Sequence, residues 1–228
     1  MNDCINSSNN IILYHGSRGG IVGNIEPQSR VRCDFGKGFY MGTNPEQAKT
    51  LVANDQAPFF YKLKLDISTI SQQRILMLDG MDWAYFVLFN RGRLDDVKKS
   101  DLYKSCKHLA DNKDLIIGPI ADDAMNDVMT RFIHGEITDK AFLECIRGLD
   151  YGIQYVAKTK AACACIEILS EKELFGKELD DAVQLSGLRR QEGRAMSEAM
   201  QLKYRREGKY FDEILESVRI KGNNGKQL

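Results

Sequence analysis

Two short glycine-flanked motifs near the start of the chain combine the residue types needed to hold a flat polar ring. Residues 14–17 read YHGS and residues 34–40 read DFGKGFY. The first motif places an imidazole and a hydroxyl beside a glycine whose bare backbone can approach a ligand closely. The second delivers two adjacent aromatic side chains after a tight turn, and an aromatic face stacks well on a flat ring. Together the motifs predict a pocket for a planar polar group.

Strand and helix signals surround both motifs and must position them. The apolar run at 11–15 predicts a buried strand, and 39–42 predicts a short strand that closes the second motif. A cap residue at 43–44 followed by Pro45 is typical of a helix start, so a helix is predicted to follow directly. Residues 59–66 alternate apolar and basic side chains, which predicts a half-exposed strand.

The later part of the chain predicts helices between and after further strands. Residues 94–147 are mostly charged and helical in pattern, whereas 153–157 and 165–169 have the pattern of strands. The predicted class is therefore α+β, with the range 94–147 as a helical insertion. We divide the chain into a domain at 1–170 and a helical C-terminal extension at 171–228.

Composition and missing motifs argue against several classes of function. The 228 residues include 32 Lys and Arg and 32 Asp and Glu, so no strong electrostatic attraction to nucleic acid is expected. No GxGxxG follows a strand and no P-loop motif is present, which argues against a doubly wound nucleotide-binding fold and a P-loop phosphate site. The six Cys form no CxxC pair, which favours reduced thiols and no metal site. No secretory signal pattern and no membrane-length apolar run are visible, so we expect a cytoplasmic protein without membrane contact.

The two motifs together resemble the NAD-binding half of the diphtheria-toxin-like ADP-ribosyltransferases, which include the poly(ADP-ribose) polymerases. A closer resemblance is to an uncharacterised bacterial domain family that shares four motifs with this chain. These are LYHGS at 13–17, DFGKGFY at 34–40, GPIADD at 118–123 and QYxxKT at 154–159. The resemblance covers roughly 11–169 and implies an ADP-ribosyltransferase-like fold with a split, mostly antiparallel β core.

The resemblance also implies a role for each residue of the two motifs, with NAD as the substrate. His15 would hydrogen-bond the 2′-hydroxyl of the nicotinamide-side ribose, and Ser17 would lie near the same sugar or the amide. The backbone of Gly16 would hold the nicotinamide carboxamide. Tyr40 would stack on the nicotinamide ring, and Phe39 beside it belongs to the same binding set.

The third catalytic position differs from the pattern of the best-known members. Those enzymes place a Glu on a later strand, where its charge stabilises an oxocarbenium-like sugar. Gln154 occupies that position here and can hydrogen-bond the ribose without supplying charge. Asp122 and Asp123 are the candidates to supply the missing carboxylate, and Glu167 is a further one on a strand. The Gln predicts mono- rather than polymer transfer.

Each of these roles competes with a structural interpretation. His15 alone would be a core histidine hydrogen-bonded at a strand end, and Gln154 a polar strand residue facing solvent. Asp122 and Asp123 would be a solvated helix start stabilised by the helix dipole. Asp34 and Lys37 are interpreted as turn residues, with a phosphate contact as the alternative for Lys37. His108 and His134 are interpreted as surface residues. The basic cluster at 189–206 is interpreted as a solvated face, with a protein or RNA contact as the alternative.

The expected function is mono-ADP-ribosyl transfer from NAD to a protein or nucleic-acid acceptor. Small transferases of this kind resemble toxin or effector modules, which makes a neutralising partner protein plausible by analogy. The alternative is a catalytically inactive module of the same fold that binds NAD or ADP-ribose, and Gln154 is the residue that favours it. A third interpretation is an unrelated structural domain.

Overall fold

A computed structural model describes residues 9–121, 123–148 and 151–216. Its strands are β1 (Asn10–Ser17), β2 (Phe39–Gly42), β3 (Phe59–Asp66), β4 (Ile75–Met77), β5 (Leu115–Pro119), β6 (Ile153–Ala157) and β7 (Ile166–Glu173). Its helices are α1 (Pro45–Thr50), α2 (Gly80–Asn90), α3 (Asp101–His108), α4 (Asp123–Ile133), α5 (Asp139–Gly148), α6 (Lys160–Cys163) and α7 (Gly176–Tyr204), and 211–216 is also helical. The α+β class is confirmed.

The seven strands form one mixed sheet in the order β4-β5-β6-β2-β1-β3-β7. The pair β4 and β5 is parallel, and the other neighbouring pairs are antiparallel. The weakest junction lies in the middle of the sheet, because β1 aligns with β2 at Tyr14 and Gly42 alone, whereas it aligns with β3 along its whole length. Beyond Tyr14 the two central strands therefore diverge, and the space between them begins at the first motif.

The register places the motif residues on two different faces of the sheet. Phe39 and Met41 pack in the same buried cluster as Leu13, whereas Tyr40 packs against the cluster that contains Trp83. Successive side chains of a strand point to opposite faces, which accounts for this separation within β2. The two faces hold separate parts of the core, and the helices α2, α4 and α5 cover the Trp83 side.

The range 94–147 is not wholly helical, because β5 lies within it. Residues 115–118 are buried, and β5 hydrogen-bonds to β4 on one side and β6 on the other. A short apolar run buried on both faces has no amphipathic period, so its pattern alone does not distinguish a strand from a buried helix segment. The last strand, β7, also runs through position 170, where the sequence suggested a boundary.

The predicted helix start after β2 is confirmed. The Asn44 side chain accepts hydrogen bonds from the backbone N–H groups of Glu46 at 3.0 Å and Gln47 at 3.2 Å, and Pro45 is the first residue of α1. Such a cap satisfies backbone donors that the first turn leaves unpaired. The capped helix lies against the end of β1, where Ala48 contacts Gly16 of the first motif.

Two general findings apply to the part of the chain that the structure describes. No helix there has the length and apolar composition needed to cross a membrane. Within the same residues, the side chains of His, Cys, Asp and Glu form no group suited to hold a metal ion. The cysteines with free thiols in this part are Cys33, Cys106, Cys145, Cys163 and Cys165.

Candidate functional site

A cavity of about 370 Å³ lies where β1 and β2 diverge. His15 and Ser17 at the end of β1 form one wall, and Gly38, Phe39 and Tyr40 form another. The loop between the two strands closes the cavity with residues from the range 20–29. The volume falls within the range of about 300–1,000 Å³ that is typical of small-molecule sites. Both sequence motifs therefore contribute to one concave surface.

His15 is held in one tautomer by a hydrogen bond to the second motif. Its Nδ1 lies 2.7 Å from the carbonyl oxygen of Tyr40. Because a carbonyl oxygen can only accept, Nδ1 carries the proton and Nε2 of the neutral ring is left as an acceptor. The imidazole also packs on the Phe39 ring, with 4.5 Å between ring centres. Burial lowers the pKa of His15 to about 4, although the hydrogen bond to Tyr40 opposes this effect.

The low pKa of His15 predicts a pH-dependent stability. Below about pH 6.5 the unfolded chain protonates this histidine, while the folded protein keeps it neutral until its pKa of about 4. The free energy of unfolding should therefore fall as the pH drops through this window, by at most about 1.4 kcal/mol per pH unit. His15→Gln should remove this part of the dependence, as measured by urea unfolding at several pH values between these two limits.

A matched control for this prediction is His108→Gln. It makes the same chemical change at a side chain on α3 that is 67% exposed. If the free energy of unfolding changes equally with pH in wild type and His15→Gln between about pH 4 and pH 6.5, the prediction is contradicted.

Gly16 has a packing requirement of its own. A Cβ at this position would lie 2.2 Å from the carbonyl oxygen of Ala48 in α1 and 3.1 Å from the side chain of Val52. Real Cβ atoms do not approach backbone oxygen this closely, so α1 can contact β1 only across a glycine. The structure thus explains the glycine through α1, independently of the backbone contact to a ligand that the motif predicted.

The loop over the cavity is tied to the sheet at both of its ends. Ser17 Oγ donates to the carbonyl of Gly20 at 3.0 Å, which uses the serine proton within the loop. The Tyr61 hydroxyl accepts from the Ile21 N–H at 2.8 Å. Farther along, Ser29 Oγ accepts from the Gly38 N–H at 3.0 Å and so joins the loop to the second motif. These bonds define the shape of the cavity before any ligand is bound.

The Tyr40 hydroxyl organises the turn of the second motif. It donates to the carbonyl of Gly36 at 2.6 Å and accepts from the Phe35 N–H at 2.9 Å. Burial, and secondarily the charge of Asp34, raise the pKa of Tyr40 far above its usual value, so the hydroxyl stays protonated. Gly36 adopts a positive φ of 71°, a conformation that glycine reaches at no steric cost. The ring of Tyr40 packs against the buried cluster that contains Trp83, whereas its backbone carbonyl bonds His15 at the cavity.

Gln154 is buried, and its side-chain N–H groups bond protein acceptors. Its side-chain N–H groups donate to the carbonyl of Pro119 at 2.8 Å and to the Asp34 carboxylate at 3.3 Å. The residue is 5% exposed, so the solvent-facing interpretation is wrong. It is not among the described residues that line the cavity. The structure therefore joins His15 to Tyr40 but places Gln154 in a neighbouring polar network.

That network is centred on a buried ion pair that the sequence did not indicate. Asp34 is 8% exposed, and its carboxylate accepts from Arg91 Nε at 2.7 Å and pairs with Nη2 at 2.6 Å. Arg91 also bonds the Asn126 side chain and donates to the carbonyl of Ala121 at 2.9 Å. Asp34 was interpreted as a turn residue because nothing near it in sequence identifies Arg91 as its partner. The pair joins the second motif to α2 and α4.

The candidate carboxylates occupy different places. Asp122 lies outside the described residues, and Asp123 begins α4 with its side chain also outside them. Glu167 is exposed on β7 and pairs with Lys64, as expected for a solvated strand face. Glu26, which no sequence motif indicated, lines the cavity. Its Oε1 accepts from Lys160 Nζ at 2.8 Å, and this hydrogen bond lowers the pKa of the carboxyl.

The QYxxKT motif has a second anchoring residue. Lys158 Nζ donates to the carbonyl of Phe35, and burial lowers the pKa of the amine to about 8. Its side chain lies against Gly36 and Gly38, where a Cβ would be 3.5 Å from the lysine in each case. Lys158 thus supports the turn of the second motif from β6.

The outlying basic and histidine residues are mostly at the surface. His108 and His134 have side chains that are 67% and 65% exposed, as predicted. Within the basic cluster, however, Arg189 donates to the Gln47 side chain and lies over the Tyr151 ring at 5.2 Å. The expected solvated face is therefore wrong for this residue, which attaches α7 to α1.

Comparison with protein families decides the relationship of the chain. The family described as Protein of unknown function (DUF3990) matches residues 11–168. The chain belongs to the DUF3990 family. The DUF3990 region begins in β1 and ends in β7, so it contains both cavity motifs and Gln154. No significant match was found among curated proteins or among solved structures.

Proposed function

We propose that this chain is an NAD-dependent mono-ADP-ribosyltransferase of the split β-core type, with a protein or nucleic-acid acceptor. The observation that supports this most directly is the hydrogen bond between His15 Nδ1 and the Tyr40 carbonyl at 2.7 Å. It joins the two NAD-type motifs across the gap where β1 and β2 diverge, and both residues line the cavity there. A concave site with a few fixed polar groups is the usual setting for a small-molecule ligand.

The proposed reaction cleaves the bond between the ribose C1′ of NAD and the nicotinamide nitrogen. The bonding electron pair stays with the nitrogen, so the pyridinium becomes neutral nicotinamide, and positive charge develops on the sugar. The acceptor nucleophile then bonds to C1′ and releases its proton to solvent. Water in the place of the acceptor gives NAD hydrolysis by the same steps.

The chain's own residues supply binding and orientation in this proposal. Neutral His15 accepts a hydrogen bond from a ribose hydroxyl through Nε2, since Nδ1 is already bonded to Tyr40. Tyr40 holds His15 through its carbonyl and keeps the turn of the second motif in place through its hydroxyl. The Gly16 backbone holds the carboxamide, and Phe39 supports the His15 ring. Orientation of this kind lowers the barrier by placing the reacting groups beforehand.

A second candidate function is an inactive module that binds NAD or ADP-ribose. The observation that favours it is the state of Gln154, which carries no charge and uses its N–H donors on Pro119 and Asp34. In that case the cavity would bind the dinucleotide without breaking it.

The proposal predicts nicotinamide release from NAD by the purified chain, or transfer of label from NAD to an acceptor in a cell lysate. Either activity should fall at least about 100-fold in His15→Ala, because the ribose loses its hydrogen-bond partner at the reacting centre. Chromatography of nicotinamide and gel detection of labelled acceptor measure the two activities, with His108→Ala as the matched surface control.

Thermal unfolding with and without NAD separates the remaining outcomes. A rise in melting temperature with NAD but no turnover would favour the binding module. Neither turnover nor a thermal shift would contradict both functions, provided that the protein gives a cooperative melting curve.

A further inference from the structure

The cavity contains a carboxylate that the motifs did not indicate. Glu26 lies on the loop between β1 and β2, its side chain is 29% exposed, and it lines the cavity together with His15 and Tyr40. Among the described residues of the cavity wall it is the one acidic side chain. The position that the resemblance assigns to a catalytic Glu is occupied by Gln154.

Glu26 pairs with Lys160, whose own side chain is 78% exposed. Its Oε1 lies 2.8 Å from Lys160 Nζ, at the first residue of α6. The preceding residue, Thr159, caps that helix by accepting from the Ala162 N–H at 3.2 Å and donates to Asp114 at 2.8 Å. These bonds hold the backbone of Lys160 at the start of α6. Bonds to Lys160 and then to Gln28 lower the pKa of Glu26, so its carboxyl is ionised at neutral pH.

A negative charge on the wall of this cavity would stabilise a positive charge that develops on a bound ligand. Leaving-group departure from NAD creates such a charge on the ribose, and preorganised electrostatic groups act best where charge develops. Gln154 cannot take this part, because it is uncharged and donates to Pro119 and Asp34 away from the cavity wall.

We propose that Glu26 is the catalytic carboxylate that stabilises the positively charged ribosyl group, with Lys160 as its positioning residue. The inference rests on the proposed function. As the C1′–N bond breaks, its electron pair goes to the nicotinamide nitrogen and the cationic sugar lies beside the Glu26 carboxylate, which forms no covalent bond. The acceptor, or water, then bonds to C1′ and loses its proton to solvent.

The test is steady-state nicotinamide release from NAD by the full chain and its variants. Glu26→Gln keeps the size of the side chain, so kcat should fall about 100-fold while KM for NAD changes by less than about threefold. Sodium formate should restore part of the activity of Glu26→Ala, because it returns a carboxylate to the vacated space. Lys160→Met should lower kcat less, by about tenfold, and formate should not rescue it.

A matched control is Glu178→Gln. Glu178 also pairs with a lysine, Lys172 at 2.7 Å, but it lies on α7 and not on the described cavity wall, so its replacement should leave kcat unchanged. Melting curves of all variants exclude unfolding as the cause of a loss.

The outcomes distinguish failure of the role of Glu26 from failure of the proposed function. A wild-type chain that releases nicotinamide as fast as Glu26→Gln would overturn the role of Glu26 alone, as would a raised KM with unchanged kcat or no rescue by formate. A wild-type chain that binds NAD without turning it over would also overturn that role and would leave the binding module. Absence of both NAD binding and turnover would overturn the proposed function together with the inference.

Discussion

Replacement of Gln154 by Glu should destabilise the protein by about 3–5 kcal/mol and should not raise NAD turnover. The side-chain amide donates to the Pro119 carbonyl at 2.8 Å and to the Asp34 carboxylate at 3.3 Å, and a carboxylate can donate to neither. It would also bring a second negative charge against Asp34 at a position that is 5% exposed. The motif position that would hold a catalytic Glu is therefore incompatible with a charged Glu in this fold.

Urea unfolding of wild type and Gln154→Glu measures the effect directly. Gln191→Glu makes the same chemical change at an exposed position on α7 and should alter the stability by less than about 0.5 kcal/mol. In the double variant with Asp34→Asn the like-charge contact is removed, so part of the loss should be recovered relative to Gln154→Glu alone. A stable Gln154→Glu protein with raised NAD turnover would contradict this account of the residue.

Gly16→Ala should destabilise the protein by about 3 kcal/mol, the upper part of the usual range for overpacking. The new Cβ would lie 2.2 Å from the Ala48 carbonyl oxygen, which belongs to the backbone of α1 and cannot rotate away. Either α1 moves off the sheet or β1 shifts. In both cases the adjacent His15 changes its position at the cavity wall.

The matched control is Gly19→Ala, three residues farther along the same segment. A Cβ there meets nothing within 4 Å, so the change should be neutral or slightly stabilising. Both variants replace a glycine by alanine, so denaturant unfolding compares the same chemical change at the two positions. Equal stability of both would show that the contact between β1 and α1 is not tight in solution. If Gly16→Ala instead stays stable and loses only NAD binding, the backbone role implied by the motif would explain the glycine better than the packing does.

Much of the local structure near the site could be predicted from the sequence. The strands at 39–42, 59–66 and 153–157 are confirmed at the residues predicted, as is the capped start of α1 after Asn44. These signals depend on neighbours within a few positions, such as alternation along a strand or a side chain that bonds the next helical turn. The strand β5 was missed because a short apolar run within a charged stretch contains no such signal.

The arrangement of the site depended on contacts between residues that are far apart in sequence. Asp34 lies 57 residues from Arg91 and 120 from Gln154, and Glu26 lies 134 from Lys160. No local pattern specifies such pairs, because they form only once the order of the strands brings their loops together. For this reason the sequence predicts a ligand contact for Gln154 and a turn for Asp34, and it contains no signal for Glu26.

The sequence by itself determined the two motifs, the elements that carry them and the α+β class, since residue type and short-range spacing govern each of these. The tertiary structure decided which of these residues face one another. The divergence of β1 from β2 beyond Tyr14 opens the cavity, and the hydrogen bond from His15 to Tyr40 joins its walls. The alternation of side chains across β2 and β6 turns Gln154 toward Asp34, and the loop between β1 and β2 brings Glu26 to the cavity wall.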